Sequence, residues 1–355
     1  MASEVFFSSL DCKKFKSPLE KFKRLVERCE IDNKFSKDEL IAIKVHFGEL
    51  GNTAFIRPIY LRPIIDKLKS MGCKPYLTDT NTLYIGMRGN SVDHLHNANS
   101  NGFNYSTLQV PVIIADGLRG ENTVEVDVNL PLCKKVKLAS DIINADGMVC
   151  VSHFKAHEVS GFGGAIKNLS MGCGSRQGKL DMHSNTRPYV EKKGCISCNK
   201  CITSCQVRAI EMQDKAFITE RCVGCARCIA VCPTRAINVK WNESSDNTQK
   251  KMVEYAYGTV KSLGGRIVYV NVLTSISNAC DCYAGNDKPM TPDIGFLSSL
   301  DPIALDKASY DLVVNANNGV DPFKSVYPNI NTLGQFEHSK TIGFGNTEYT
   351  LINVE

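Results

Sequence analysis

Cys195-Ile196-Ser197-Cys198-Asn199-Lys200-Cys201-Ile202-Thr203-Ser204-Cys205 and Cys222-Val223-Gly224-Cys225-Ala226-Arg227-Cys228-Ile229-Ala230-Val231-Cys232-Pro233 break into an otherwise regular alternation of strands and helices. Both segments follow C-x2-C-x2-C-x3-C, the spacing of bacterial proteins with two 4Fe-4S clusters. Three thiolates on one tight loop can each reach a separate iron of a cubane, and the fourth iron needs a ligand from elsewhere. The fourth Cys is expected to start a helix that points away, and so to serve the other cluster. The expected ligand sets are Cys195, Cys198, Cys201 and Cys232 for one cluster, and Cys222, Cys225, Cys228 and Cys205 for the other. A pair of zinc sites would use four Cys each and leave the third C-x2-C step and the repeat without a purpose.

The surroundings fit a buried inorganic centre. Apolar Ile196, Ile202, Ala209-Ile210, Val223, Ile229 and Ala236-Ile237 fill the gaps, keeping water from sulfur, which tunes the potential. Gln206 follows Cys205 where Pro233 follows Cys232, which would loosen or wet the second cluster without removing a ligand. From Glu191 to Lys240 nine Lys/Arg against four Asp/Glu leave a charge of +5. Two oxidised cubanes of about −2 each bring the loaded segment near +1. The segment is therefore not a strongly acidic free carrier, and reads as a donor to its own host domain or to a fixed partner.

Outward from the cysteines the chain is α/β. Ser17-Pro18-Leu19-Glu20 is a capping box opening a helix to about Cys29. Ile41–His46, Pro75–Asp79, Pro111–Ala115, Met148–Ser152 and Arg266–Val272 read as strands. Helices are expected over Arg57–Met71, from Ser91, over Ser140–Ala145, over Asn247–Leu263, and lastly from the Asp301-Pro302 cap to about Val314. Alternation of this kind predicts a largely parallel sheet covered on both faces. The expected organisation is an α/β domain in two parts, 1–184 and 241–355, interrupted at 185–240 by an inserted two-cluster ferredoxin-like α+β domain.

Bulk composition excludes several classes. The 355 residues are 43% hydrophobic and 22% charged, ordinary values for a globular protein. A formal charge of +5 is too small for a nucleic-acid binder. No apolar run approaches the roughly 18 residues of a membrane helix. Residues 1–11 lack a basic start and apolar run, so a cytoplasmic location is expected. Eight of the sixteen cysteines lie between Cys195 and Cys232, a clustering that indicates metal rather than disulfides.

Three stretches concentrate chemical side chains: Asp79-Thr80-Asn81-Thr82-Leu83-Tyr84 with Gly86, Arg88 and His94; Ser152-His153-Phe154-Lys155-Ala156-His157 with Gly161 to Asn168; and Cys280-Asp281-Cys282 ahead of Pro292-Asp293. Each follows an expected strand, so all three could meet at the carboxyl ends of the sheet. Gly161, Gly163 and Gly164, flanked by Lys155, His157 and Lys167, are a candidate anion or cofactor cradle at a helix start. In the same turn His157 and Lys167, with His183 before the cysteines, are expected to converge on an anionic or metal-bound ligand. His157 and Lys167 are the candidate catalytic pair. Cys280 and Cys282, if extended, would put both thiols on one face, and read as two reduced thiols. Lys44 and His46 read as structural.

The order Lys-Val-His-Phe-Gly-Glu, Asp-Thr-Asn-Thr-Leu-Tyr, Ser-His-Phe-Lys-x-His, Gly-Phe-Gly-Gly-Ala-Ile-Lys-Asn-Leu and Cys-Asp-Cys, with the cysteine insertion, resembles domain-of-unknown-function family 362. That resemblance covers nearly the whole chain and implies an iron-sulfur protein without an assigned reaction. A local resemblance over about thirty residues is to the nickel-pincer lactate racemase family, through His157, Gly161-Phe162-x-Gly164, Lys167 and His183. It implies Lys167 holding a cofactor, His183 binding a metal and His157 moving protons. The chain lacks that family's Gly-x-His-Arg-Pro block; Gly86-Met-Arg88 with His94 stands in its place. The expected function is electron transfer from two 4Fe-4S clusters to a ligand or small-molecule substrate in the α/β domain, with an additional metal or anionic cofactor possible there. The alternatives are a non-catalytic electron carrier for a redox partner protein, and a racemase-like enzyme with a metal site at His157, Lys167 and His183. Oligomeric state has no signature in the sequence.

Overall fold

The computed structural model describes residues 2–12, 17–84 and 86–354. Eight strands form the main sheet: β1 (Ser3–Ser9), β2 (Leu40–Lys44), β3 (Lys74–Asp79), β4 (Val112–Ile114), β5 (Gly147–His153), β6 (Ile267–Leu273), β7 (Gly295–Ser299) and β8 (Tyr349–Asn353). Their spatial order is β8-β1-β7-β6-β5-β2-β3-β4. Only β7 runs against its neighbours; every other pairing is parallel. The sheet is thus largely parallel, as the strand and helix rhythm predicts.

Central strands β5 and β6 are buried at every residue, because helices cover both faces and leave no polar side. Alternation then divides their side chains between two cores. Met148, Cys150 and Tyr269 join Phe154, Phe162 and Ile303 on one face. Val149, Val151, Val268 and Val270 join Phe22, Ile43 and Leu68 on the other. Burying each such side chain contributes about 1.5–3 kcal/mol.

Local signals set the helices. Ser17 Oγ accepts from Glu20 N at 3.1 Å and opens Pro18–Arg28. The stretch expected as one helix, Arg57–Met71, divides into a 3-10 turn Pro58–Leu61 and an α-helix Arg62–Ser70. Pro63 explains the division, since it lacks the N–H that a continuous helix would need there. Asp301 accepts from Ile303 N and Ala304 N and starts Pro302–Ala316. That helix is not the last: Pro322–Val326 and Gly334–Thr341 follow.

Residues 185–240 give no strand to the main sheet. Tyr189–Val190 pairs with Ile237–Asn238, and Ile210–Met212 with Ala216–Ile218. Their apolar side chains, with Ile229, form a separate core that takes in Leu83 and Leu180 from the α/β part. Among the described residues no helix is long and apolar enough to cross a membrane.

Candidate functional site

The cysteine segment repeats in its backbone as well as its sequence. Left-handed residues recur at the same places in both halves: Ser197 and Gly224, Asn199 and Ala226, Arg208 and Arg235. Each half then makes one short helix, Lys200–Ser204 or Arg227–Val231. The fourth Cys ends that helix instead of starting one, contrary to the sequence expectation. Cys205 and Cys232 are C-caps, and their sulfurs accept from Ala209 N and Ala236 N, each at 3.2 Å. The helix carries the fourth Cys away from its own loop.

Cys195, Cys198, Cys201 and Cys232 line one cavity, together with Ile196 and Met212. Three of these thiols come from the first half and one from the second. In the other half Cys222 lies within electrostatic reach of Cys225 and Cys205. The four-Cys sets expected from spacing are therefore neighbours in space across the repeat. Among the described residues no three His, Cys, Asp or Glu side chains surround one point as ligands of a single ion would. A cubane places each thiolate on a different iron, so its ligands ring a cavity. The donor set and its apolar wall fit such a group.

The three chemical stretches of the α/β part meet at the carboxyl ends of β2, β3, β5 and β6. Lys44 Nζ, fully buried, lies 2.8 Å from Asp79 Oδ1 and donates to Asn168 Oδ1 at 2.7 Å. Burial alone would raise Asp79; Lys44, with His46, His94 and Arg88, holds it far below the usual carboxylate range. His94, also buried, has its Nε2 3.7 Å from Asp79 Oδ2. Arg88 clamps the next layer, donating to Glu49 Oε2 at 3.0 Å and to Tyr84 Oη at 2.8 Å. Tyr84 Oη in turn donates to Cys282 O at 3.3 Å.

Asp281 is the hub of the third stretch. Its carboxylate is 2.8 Å from His153 Nδ1 and 2.9 Å from Lys155 Nζ. Burial would raise it, but the neighbouring His153 and Lys155 side chains hold it well below its ordinary value. Lys155 is therefore committed to Asp281 and is not a free cofactor ligand. Cys280 to Tyr283 form a turn closed by Tyr283 N to Cys280 O at 3.1 Å, not the extended strand considered from the sequence. The turn still brings the two thiols together, because Asp281 faces inward between them.

The glycine run does a different job from the one expected. Lys155–His157 and Gly161–Gly163 form a hairpin, and Gly164 precedes the helix Ala165–Ser170. The N–H groups of Ala165 and Ile166 are already taken by the Asp306 carboxylate at 2.7 and 2.9 Å. An anion cradle on Gly161, Gly163 and Gly164 is thus corrected: the chain supplies its own anion. A side chain at Gly164 would run into that carboxylate, and one at Gly163 would meet Lys167 Cδ at 2.7 Å. Gly163 lets the Lys167 stem pass, and its Nζ donates to Cys280 Sγ at 3.0 Å.

His157, Lys167 and His183 come within electrostatic reach of one another. Burial and then Lys167 hold both histidines below their ordinary value, His183 at about 3. His157 Nδ1 accepts from the backbone N–H groups of Val159 and Ser160, each at 3.3 Å, which leaves the proton on Nε2, and Ser160 Oγ lies 3.0 Å away. The half-buried His183 ring stands edge-on to Trp241, centroids 4.9 Å apart. Sequence reading gave Lys44 only a structural role and passed over Glu49, Lys179, Asp116 and Asp306. The available signal was a lysine inside the apolar run Ile41-Ala42-Ile43-Lys44-Val45, where a charge must find a buried partner.

These histidines fix an acid response. His46, His94, His157 and His183 all sit below their ordinary value, with burial the largest cause of each. Below about pH 6.5 the unfolded chain takes up protons that the native state refuses, so stability falls on acidification. Asp116 and Asp306, raised by burial to about 6, act in the opposite direction. Four groups against two decide the sign. The urea midpoint should fall between pH 7 and pH 5; a rise would contradict this balance.

An α/β fold with a largely parallel sheet, a polar cluster at its carboxyl ends and a repeated four-cysteine segment defines the class. The chain belongs to the family described as domain of unknown function (DUF362), whose profile matches residues 41–311. Among solved structures it is similar to the lactate racemase apoprotein of Thermoanaerobacterium thermosaccharolyticum, at 14% identity and a TM-score of 0.37, over 77% of this chain and 51% of that one. It is also similar to a structural-genomics protein from Thermotoga maritima, at 8% identity and a TM-score of 0.44, over 86% of this chain and 60% of that one. The chain thus spans about half the length of the racemase. No curated protein matches it.

Proposed function

We propose that residues 185–240, set between 1–184 and 241–355, hold two 4Fe-4S clusters and pass electrons to a small polar ligand at the carboxyl ends of the main sheet. Cys195, Cys198, Cys201 and Cys232 would hold one cluster, and Cys222, Cys225, Cys228 and Cys205 the other. The observation that carries this reading is the cavity ringed by four thiols drawn from both halves of the repeat. When bound, each cluster supplies a one-electron carrier.

The chain's own residues prepare for that role. N–H groups of Ala209 and Ala236 donate to the sulfurs of Cys205 and Cys232, and hydrogen bonds to sulfur tune a cluster's potential. Ile196 and Met212 give the first set apolar neighbours. The helix Arg176–His183 links the two parts: Leu180 packs in the cysteine core, while Lys179 Nζ donates to Thr80 Oγ1 at 2.6 Å in the polar cluster. The positive charge of 185–240 also favours a host domain or a fixed partner over free diffusion as an acidic carrier.

Anaerobically purified protein should contain about eight irons and about eight labile sulfides per chain. Iron near four, or stoichiometric zinc, would overturn the proposal. Bleaching of the cluster absorbance by an added small molecule, without a partner protein, would separate a self-contained oxidoreductase from a carrier.

A further inference from the structure

We propose that Cys280 and Cys282 are a redox-active dithiol through which electrons from the cluster segment enter the polar site, a proposal that rests on the cluster reading above. The geometry is built around these two sulfurs. Cys280 is 1% exposed, and its Sγ accepts from Lys167 Nζ at 3.0 Å and from Cys282 N at 3.4 Å. The Cys282 side chain also hydrogen-bonds to Cys280. Both ends of the turn are pinned, Asp281 O accepting from Glu49 N at 2.9 Å and Cys282 O from Tyr84 Oη. Asp281 itself is held between His153 and Lys155, so the two thiols project together.

Two buried reduced thiols with only a packing role need no ammonium. Here a buried lysine is spent on one sulfur, and a glycine is kept at position 163 so that it can arrive. The hydrogen bond from Cys282, then Lys167 and Lys155, hold Cys280 well below the ordinary thiol value against the effect of burial. The pair therefore rests as one thiolate and one thiol. On oxidation a bond forms between Cys280 Sγ and Cys282 Sγ, and the Cys282 S–H bond breaks. The proton leaves to water from the partly exposed Cys282, and two electrons leave, one to each 4Fe-4S cluster. The reverse sequence restores the dithiol. Lys167 stabilises only the reduced form, so it makes the disulfide easier to reduce.

Tryptic fragment 267–307 (the Lys288-Pro289 bond resists trypsin) contains Cys280 and Cys282 and no other cysteine. The holoprotein would be equilibrated anaerobically with dithiothreitol buffers of varied ratio, quenched in acid, alkylated, digested and weighed. The fragment is expected to pass reversibly between a doubly alkylated form and an unalkylated form two hydrogens lighter. Lys167→Met should move the midpoint ratio about tenfold or more toward reducing buffer, the range for loss of a charge-assisted hydrogen bond. Lys167→Arg, which keeps the charge, should move it much less. A wild-type fragment alkylated twice at every ratio, or an unchanged midpoint in Lys167→Met, would overturn the dithiol. Iron and sulfide assayed on the same samples separate the two readings: full clusters beside an inert fragment defeat the dithiol alone. A titrating fragment in protein that binds no iron defeats the electron route.

Discussion

Cys232→Ala should strip the cluster of the first loop and spare the cluster of its own loop. Iron is expected to drop from about eight to about four per chain. The remaining iron should protect Cys222, Cys225 and Cys228 from alkylation, while Cys195, Cys198 and Cys201 become reactive. The reason is spatial: Cys232 lines the cavity of the first three cysteines, and the helix Arg227–Val231 separates it from its sequence neighbours. Cys205→Ala should give the mirror result, since Cys205 acts on Cys222. If Cys232→Ala instead exposed Cys222, Cys225 and Cys228, ligation would run within each half and the crossed assignment would fail.

Asp281→Ala should be the most destabilising single change in the α/β part. Asp281 is fully buried and is the carboxylate partner of both His153 and Lys155, themselves buried. Removing it leaves the buried Lys155 ammonium without its counter-charge, and breaking such a buried pair costs about 3–5 kcal/mol. Lys155→Met should cost less, because Asp281 keeps His153 and loses only one of two partners. Urea denaturation followed by far-UV circular dichroism measures both. A loss below about 1 kcal/mol for Asp281→Ala would place the pair in the weak range of solvent-exposed ion pairs and remove the hub.

The strands at the centre of the sheet were legible because burial on both faces writes a continuous apolar run, as in Met148 to Val151 and Ile267 to Val270. The strands β1, β7 and β8 were not. Val5 pairs with Ser299 on one side and Leu351 on the other, partners so distant in sequence that no local pattern records them. In the edge strand β8 partial exposure also dilutes the alternation. The short helix Gly334–Thr341 was missed for a related reason: its buried Phe336 stacks on Phe162, a tertiary contact that propensity does not carry.

The site divides along the same line. The repeat of eight cysteines stands out in the sequence because spacing is a local property. The Lys167 contact to Cys280 joins residues 113 positions apart, and nothing near either residue announces it. The glycines at 161 to 164 correctly signalled that space was needed. What fills that space is the stem of Lys167 and the carboxylate of Asp306, both supplied by the chain itself.

The central claim is that this chain carries two iron clusters with crossed ligands. Anomalous diffraction at the iron edge, from crystals grown without oxygen, tests it most directly. The account predicts two strong iron sites per chain, one ringed by Cys195, Cys198, Cys201 and Cys232 and the other by Cys222, Cys225, Cys228 and Cys205. A single site, signal at the zinc edge instead, or a site ligated by Cys222, Cys225, Cys228 and Cys232 would contradict it.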